Sequence, residues 1–379
     1  CDAGLLSSVF DFSLNGQQLP RTIYAAADFI VGAAHNGFQM FTALANAAAK
    51  LIASFASQEH IDLYAAKILS GKWAATMCLT ETQAGSSLAG INTAAFFQQD
   101  GSYKIKGQKI FISAGDHDIT ENIVHLVLAK IDGAPKGAKG ISLFIVPKMR
   151  MENDGTLQPN DVVPVGIYHK MGQRSTPAIH LEFGAEDNCT GYLVGEADKG
   201  LAYMFQMMND KRLGTGLTGA YIASRAYYAS LQYAQERVQG KRLGDKHQDD
   251  APVTIIHHPD VRRMLFLQKA IVEGSLSLLM QCYLYIDMEM VSNSDADKQY
   301  YNDLLELLTP VAKTYGAEMG IVSVNNGMQV LGGYGYTEDF PLEQMARDVR
   351  ITSLYEGTTG IQSLALLGRQ IPMNRSRAF

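Results

Sequence analysis

From residue 76 to about residue 184 the chain changes its hydrophobic period, and no other feature limits so firmly what it can fold into. Runs at 92–98, 103–112, 123–131, 141–147 and 178–183 are short and rich in β-branched and aromatic residues, the pattern of strands. Asp100-Gly101, between two of these runs, predicts a hairpin turn. Before this zone, residues 22 to about 71 are alanine-rich, with apolar residues at helical spacing and few β-branched runs, which predicts helices. After Leu201 long amphipathic helices return, broken by a polar, proline-containing loop at 240–259 and by a second polar stretch at 292–297. The order is helices, sheet, helices, which predicts an α+β fold. No internal repeat or low-complexity tract is present, and the loop at 240–259 is the candidate for a disordered or lid segment.

Composition narrows the function. With 379 residues, 47% hydrophobic and 18% charged, the chain can bury a substantial core and should divide into two or three structural units. A net charge of −6 argues against nucleic acid as the main partner, since phosphate backbones need clustered cations. Local positive sites for anionic substrates remain compatible with it. Cys1, Cys78, Cys189 and Cys282 lie far apart, without metal-type spacing, and read as reduced, buried thiols of a cytoplasmic protein. The most apolar stretch, 24–57, is interrupted by Asp28, His35, Asn36, Asn46 and Lys50, so no membrane span is expected and the protein should be soluble. Cys1 stands where an initiator methionine is usual and no signal peptide follows, from which a chain lacking its true beginning is expected.

Four segments carry residues suited to chemistry. Tyr355-Glu356-Gly357-Thr358-Thr359-Gly360 places one carboxylate among small residues just before the apolar run 361–367. Glycine lets a ligand approach the backbone, and N–H groups at a helix start favour developing negative charge. Both suit proton abstraction beside a carbonyl. Alone, the segment reads more simply as an acidic first-turn residue followed by a Thr358 cap. Met77-Cys78-Leu79-Thr80-Glu81-Thr82-Gln83-Ala84-Gly85-Ser86-Ser87 runs from a short strand into a hydroxyl-rich loop that could bind carbonyls or phosphates of a cofactor, or be an ordinary turn. In Lys106-Gly107-Gln108-Lys109-Ile110-Phe111-Ile112-Ser113-Ala114-Gly115, a regular strand would point Phe111 and Ser113 to the same face, although a phenylalanine there is more often core. Gln329-Val330-Leu331-Gly332-Gly333-Tyr334-Gly335-Tyr336 is a glycine cluster that either approaches a pyrophosphate or merely ends a helix. A Rossmann fingerprint, a P-loop and a nucleophile elbow are all missing from the sequence. His257-His258 lack further ligands at metal spacing and read as loop or cap residues, and the lone Trp73 with scattered tyrosines makes no stacking platform for nucleic acid.

In order and identity together, these four segments resemble the acyl-CoA dehydrogenase family over nearly the whole chain. The resemblance implies a helical N-terminal domain at 1–75, a middle β-barrel-like domain at 76–187 and a C-terminal four-helix bundle at 188–379. It implies FAD-dependent α,β-dehydrogenation of an acyl-CoA thioester to a trans-2-enoyl-CoA, the chemistry of fatty acid β-oxidation. Glu356 matches the family's α-proton base and flavin N5 is the hydride acceptor. Met77, Leu79, Thr80, Ser86, Phe111 and Ser113 match flavin-binding positions, Thr80 at the pyrimidine end and Ser113 near N5. Thr358 matches an FAD contact near the base, while Arg237, Gln329, Gly332 and Gly333 match residues that bind the FAD of a neighbouring subunit. Ser86, Asn209, Arg212, Tyr355 and Gly357 match acyl-CoA contacts, and no metal is implied.

Several positions depart from the family pattern. Phe111 stands for a frequent tryptophan, Met77 for a tyrosine, Thr82-Gln83 for Pro-Gly and Gly360 for a glutamine. Some members carry the base on the helix entering the bundle, where this chain has Lys211 and Gly214, neither of which can serve. The implied partners are an electron-transfer flavoprotein and further copies of the chain, as a homodimer or homotetramer. An oxidase-like relative and a non-catalytic acyl-CoA-binding relative are the alternatives. Extra residues at 240–263 and 304–313 resemble the larger bacterial branch that includes 3-methylmercaptopropionyl-CoA dehydrogenases, whose members extend beyond both ends of this chain.

Overall fold

Strands from the middle of the chain close into a ring. The computed structural model describes residues 4–152, 154–244 and 251–376, and it separates into two units. The first holds the chain up to Leu19, 37–170 and 174–208. Its strands are β1 (Trp73–Cys78), β2 (Ala94–Phe97), β3 (Tyr103–Ser113), β4 (Asn122–Ile131), β5 (Ile141–Pro147), β6 (Met149–Met151), β7 (Leu157–Pro159), β8 (Val162–Ile167), β9 (Ala178–Phe183) and β10 (Thr190–Leu193). β4 pairs with β5, β5 with β10, β10 with β3, β3 with β2 and β2 again with β4, a closed circuit of the barrel type. β1 runs parallel beside the first half of β4, and β9 and β8 extend the sheet from the second half of β3. The hairpin at Asp100-Gly101 forms as expected: Gly101 has φ of 86°, and the Asp100 carboxylate accepts from Ser102 N and Oγ at 3.0 and 2.7 Å.

Both faces of the central strands are buried, which is why they read as unbroken apolar runs. Val124, Leu126 and Leu128 of β4, with Ile141, Leu143 and Ile145 of β5, pack with Ala48, Leu51 and Ile52 of the helical layer. Val127, Ala129, Phe144 and Val146 alternate to the other side and join Tyr103, Ile105 and Phe183 in a second core. The helices of this unit are α2 (Asn36–Phe55), α3 (Gln58–His60), a π turn at Ile61–Ala65 and α4 (Ala66–Leu69); they follow α1 (Arg21–Ala34) in the chain.

α1 belongs instead to the second unit, with residues 20–36, 171–173 and those from Asn209 onward. Here α5 (Gly200–Glu236), which enters from the first unit, runs with α6 (Pro259–Val291) and α7 (Asp295–Leu331), followed by the short α8 (Leu342–Val349) and α9 (Thr359–Ala365). α1 supplies a fourth helix to this bundle. The Asp287 carboxylate of α6 accepts from the N–H groups of Arg21 and Thr22 at 2.6 and 2.9 Å, an anion at the positive end of α1. Gly32 of α1 leaves room for the Tyr221 ring, where an added Cβ would stand 2.3 Å away. α5 and α7 approach backbone to backbone: a Cβ on Gly316 would lie 2.3 Å from the Gly216 oxygen, so only glycine permits the crossing.

The polar breaks fall where the sequence places them. Ser294 caps α7 by accepting from Asp297 N, Pro259 opens α6, and His258 is its cap position. Of the lid expectation at 240–259, residues 245–250 lie outside the described residues; beside them, Gln239 N donates to Val253 O and Val253 N to Gly240 O, both at 2.9 Å. Cys78, Cys189 and Cys282 are buried free thiols, and Cys1 lies outside the described residues. Among the described residues no helix is long and apolar enough to cross a membrane.

Candidate active site

Two constellations carry the residues singled out in the sequence, one in each unit. In the first, the loop after β1 is locked onto β3 by a buried ion pair. Lys109 Nζ donates to a Glu81 carboxylate oxygen at 2.7 Å and to Leu79 O at 3.1 Å, and the two side chains are almost wholly buried. The other Glu81 contacts are donors: Asn92 N at 2.6 Å, Thr93 N and Oγ1 at 3.1 and 2.6 Å, and Gln83 Nε2 at 2.7 Å. Burial pushes the Glu81 carboxyl up, but the Lys109 ammonium and these hydrogen bonds outweigh it and leave the group at about 2. Ile110 N donates to Thr80 O at 2.9 Å, so the loop and the strand move as one piece.

This arrangement places Met77, Leu79 and Thr80 half-buried and Ser86 exposed, with open space around Gly85. Phe111 is 57% exposed, which settles that it is not core, and its ring packs on Tyr168 with centroids 4.5 Å apart. The expectation that Phe111 and Ser113 share a face of a regular strand has to be corrected. The pairing of β3 with β9 shifts between Lys109 and Ile112, and Phe111 lies in the left-handed region at φ of 58°. An extra residue there breaks the two-residue alternation and turns the aromatic ring outward. Ser113 is half-buried at the strand end.

In the second unit, Glu356 and Gly357 are consecutive left-handed residues, with φ of 53° and 88°. The buried Gln362 of α9 reaches back to hold this turn, its amide donating to Glu356 O at 3.1 Å and Gly357 O at 3.4 Å. Thr358 is the cap expected of it, accepting from Ile361 N at 3.3 Å. Glu356 therefore precedes the cap rather than lying in the first turn, and its side chain is exposed. Tyr355 is half-buried beside Gln173 and Thr218, and burial of its phenol pushes it up to about 12.

Lys211 and Arg212 on α5 and Lys313 on α7 all feel the Glu356 charge. Arg212 is 6% exposed, and its Nε has no hydrogen-bond partner among the described residues. It lines an open depression of about 400 Å³ with Ile361, Leu364, Ala365, Gly368 and Arg369. Asn209 donates to Glu306 of α7. The other sequence candidates lie at the far ends of the same helices. Arg237 follows the end of α5, Gln329 is in the last turn of α7 and Gly332 caps it at φ of 62°; all three, with Gly333, are exposed. At about 1.5 Å per residue Arg237 lies roughly 38 Å along α5 from Arg212, and Gln329 and Gly332 roughly 24 and 28 Å along α7 from Lys313. The structure does not bring the two groups together within one chain.

Glu81, Lys109, Tyr168, Gln362 and Lys313 were not legible as supporting residues from motifs. Their roles come from contacts between segments; the only local signal was a lysine embedded beside the apolar Ile110-Phe111-Ile112. Among the described residues no cluster of histidine, cysteine, aspartate or glutamate could hold a metal ion.

Known proteins match this architecture. The family description acyl-CoA dehydrogenase, middle domain, matches residues 76–185, and acyl-CoA dehydrogenase, C-terminal domain, matches 198–371. The 3-methylmercaptopropionyl-CoA dehydrogenase of Ruegeria pomeroyi is 41% identical over 357 residues, covering 94% of this chain and 60% of that protein. A butyryl-CoA dehydrogenase of Syntrophomonas wolfei is 40% identical over 382 residues, covering 99% of this chain and 62% of its own length. The crystal structure of an acyl-CoA dehydrogenase complexed with FAD from Bacillus anthracis superposes with a TM-score of 0.82 at 25% identity, over 97% of this chain and 59% of that one. The chain thus spans about 60% of the length of the curated relatives it matches.

Proposed function

The chain belongs to the acyl-CoA dehydrogenase family, and from that premise we propose that it binds FAD and removes the α-proton and β-hydride of an acyl-CoA thioester, giving the trans-2-enoyl-CoA. The observation that carries this reading is the left-handed Glu356-Gly357 turn, clamped by Gln362 immediately before the α9 cap. Such strained backbone persists only where its surroundings enforce it, and it presents a carboxylate that an ordinary helix start would not.

The residues of the first unit fit a flavin. The exposed Phe111 ring, backed by the half-buried Tyr168, offers an aromatic surface, and Thr80 sits on a loop held rigid by Glu81 and Lys109. When bound, FAD supplies the acceptor for the hydride that leaves Cβ. Met77, Leu79, Thr80, Ser86, Phe111, Ser113 and Thr358 would hold it. Arg237, Gln329, Gly332 and Gly333 would serve the cofactor of a neighbouring copy, which makes the active unit a homodimer or homotetramer. Their remoteness from Arg212 and Lys313 supports this assignment.

Glu356 takes the α-proton, and its backbone N–H helps hold the thioester carbonyl as negative charge gathers there. Ser86, Asn209, Arg212, Tyr355 and Gly357 orient the acyl-CoA. Electrons pass onward to an electron-transfer flavoprotein. A cytoplasmic location is supported by the three buried free thiols.

The test is anaerobic mixing of FAD-loaded protein with acyl-CoAs of different length, methylthiopropionyl-CoA among them. Wild type should bleach, and Glu356→Gln should keep flavin and ligand while bleaching about a thousandfold more slowly. Full-speed bleaching of that variant refutes the base. Rapid turnover in air without an added acceptor would identify an oxidase instead, and protein that binds acyl-CoA but never bleaches would be a non-catalytic relative.

A further inference from the structure

α9 and the π turn that follows it, Leu366–Gln370, wall one side of the depression that Arg212 enters from α5. Ile361, Leu364, Ala365, Gly368 and Arg369 recur at helical spacing, so one face carries apolar side chains, a glycine and a cation. The space around Gly368 is open, and Leu364 and Arg369 are exposed. Arg212, almost wholly buried, brings to this hollow a guanidinium whose Nε has no hydrogen-bond partner among the described residues. Of the two carboxylates that act on Arg212, Glu306 accepts from Asn209 and Glu356 stands in the turn before α9. Burying an incompletely paired guanidinium costs stability, and a second arginine in the same hollow adds repulsion.

Two guanidinium groups in one hollow suit an anion with several oxygens, because each presents a planar fork of donors that matches phosphate. Distance from the Glu356 turn selects among the anionic groups of an acyl-CoA. From the α9 cap Thr358 to Gly368 the chain advances ten residues, roughly 15 Å at 1.5 Å per residue. The pantetheine arm between the thioester sulfur and the first phosphate is about as long as four extended residues, roughly 14 Å. The 3′-phosphate lies beyond the ribose, further from the thioester. We propose that Arg212 and Arg369 form a subsite for the diphosphate of coenzyme A, with Arg369 as a specificity-determining residue. The inference rests on the acyl-CoA reading of this site, and it gives a role to Arg369, which the family resemblance leaves without one. The buried Arg212 supplies a fixed donor at the floor, and the exposed Arg369 closes on the diphosphate from the rim.

Calorimetric titration of the FAD-loaded full chain with CoA and with dephospho-CoA tests this without any turnover. Arg369→Ala should weaken CoA about tenfold and dephospho-CoA by the same factor, because both carry the diphosphate. Arg369→Glu should weaken both by about a further tenfold, since it sets a like charge against the phosphates. At matched ionic strength, inorganic pyrophosphate should displace CoA from wild type, and about tenfold more should be needed in Arg369→Ala. Arg369 is exposed, so its variants should fold whether or not Arg212→Gln does; where Arg212→Gln folds, it should cost at least as much binding. A loss for CoA that spares dephospho-CoA would place the 3′-phosphate here and overturn the proposal. So would a pyrophosphate requirement that Arg369→Ala leaves unchanged, which would mark an effect on shape alone. Wild-type affinity for CoA in Arg369→Ala overturns the subsite while leaving the acyl-CoA reading intact, whereas wild-type protein that does not bind CoA overturns both.

Discussion

Glu356 and Phe111 share a backbone peculiarity: both lie in the left-handed region, at φ of 53° and 58°, where residues bearing a Cβ are uncommon. Each is kept there by a partner identified only in three dimensions, Gln362 for the first and the shifted pairing with β9 for the second. Motif order made the two residues legible; their conformations were not, because φ is set by contacts outside the motif. The Glu81–Lys109 pair is a similar case, and its energetics are testable. Lys109→Met leaves a buried carboxylate facing its remaining donors, so it should destabilise the protein by about 3–5 kcal/mol in chemical denaturation and weaken FAD retention. A loss below about 1 kcal/mol would show that the pair does not hold the loop. Two buried groups contribute separable parts to the pH dependence of stability. His125, fully buried with Nδ1 2.7 Å from Thr76 Oγ1, is driven down to about 3 by burial, so the folded state keeps it neutral while the unfolded chain takes up a proton. Stability should fall as pH drops from about 6.5 towards 3. Glu81 adds stability that is complete above its ordinary value of 4.5 and is lost as pH falls towards about 2. Thermal melts of His125→Gln should show a shallower slope between 6.5 and 4.5 than wild type and still lose stability below 4.5, where Glu81 takes up its proton.

Strand and helix positions were mostly legible where burial is two-sided or a cap is present. β5 and β9 lie at 141–147 and 178–183, the bounds read from the sequence, because their apolar runs are bordered by glycine, proline and polar residues. The break between α6 and α7 follows from the Ser294 cap. The destination of α1 was not legible. Its alanine-rich sequence matches that of α2, yet Gly32 admits Tyr221 and Asp287 caps its first turn, so it joins the bundle. The crossing of α5 and α7 was equally hidden, since glycines inside helices reveal a close approach only when both helices are seen. Gly316→Val should force the helices apart and lower stability by at least about 2 kcal/mol, together with bleaching activity, because Lys313 and Arg212 flank that crossing. Unchanged melting and unchanged activity would mean that the helices separate freely there.

On the scale of the whole molecule, the candidate residues divide between a barrel-type sheet and a helical bundle, and only their order in the sequence indicated that they work together. The proposed assignment of Arg237, Gln329, Gly332 and Gly333 to a second copy came from family resemblance; α5 and α7 carry those residues to the ends of the helices remote from Arg212 and Lys313. The account stands or falls on the single carboxylate at that turn. Its most direct test is deuterium uptake from solvent at Cα of an acyl-CoA analogue that cannot lose its β-hydride, followed by NMR with FAD-loaded protein. Wild type should exchange the α-proton, and Glu356→Gln should bind the analogue equally well and exchange it no faster than buffer. Exchange by Glu356→Gln at the wild-type rate would contradict the account.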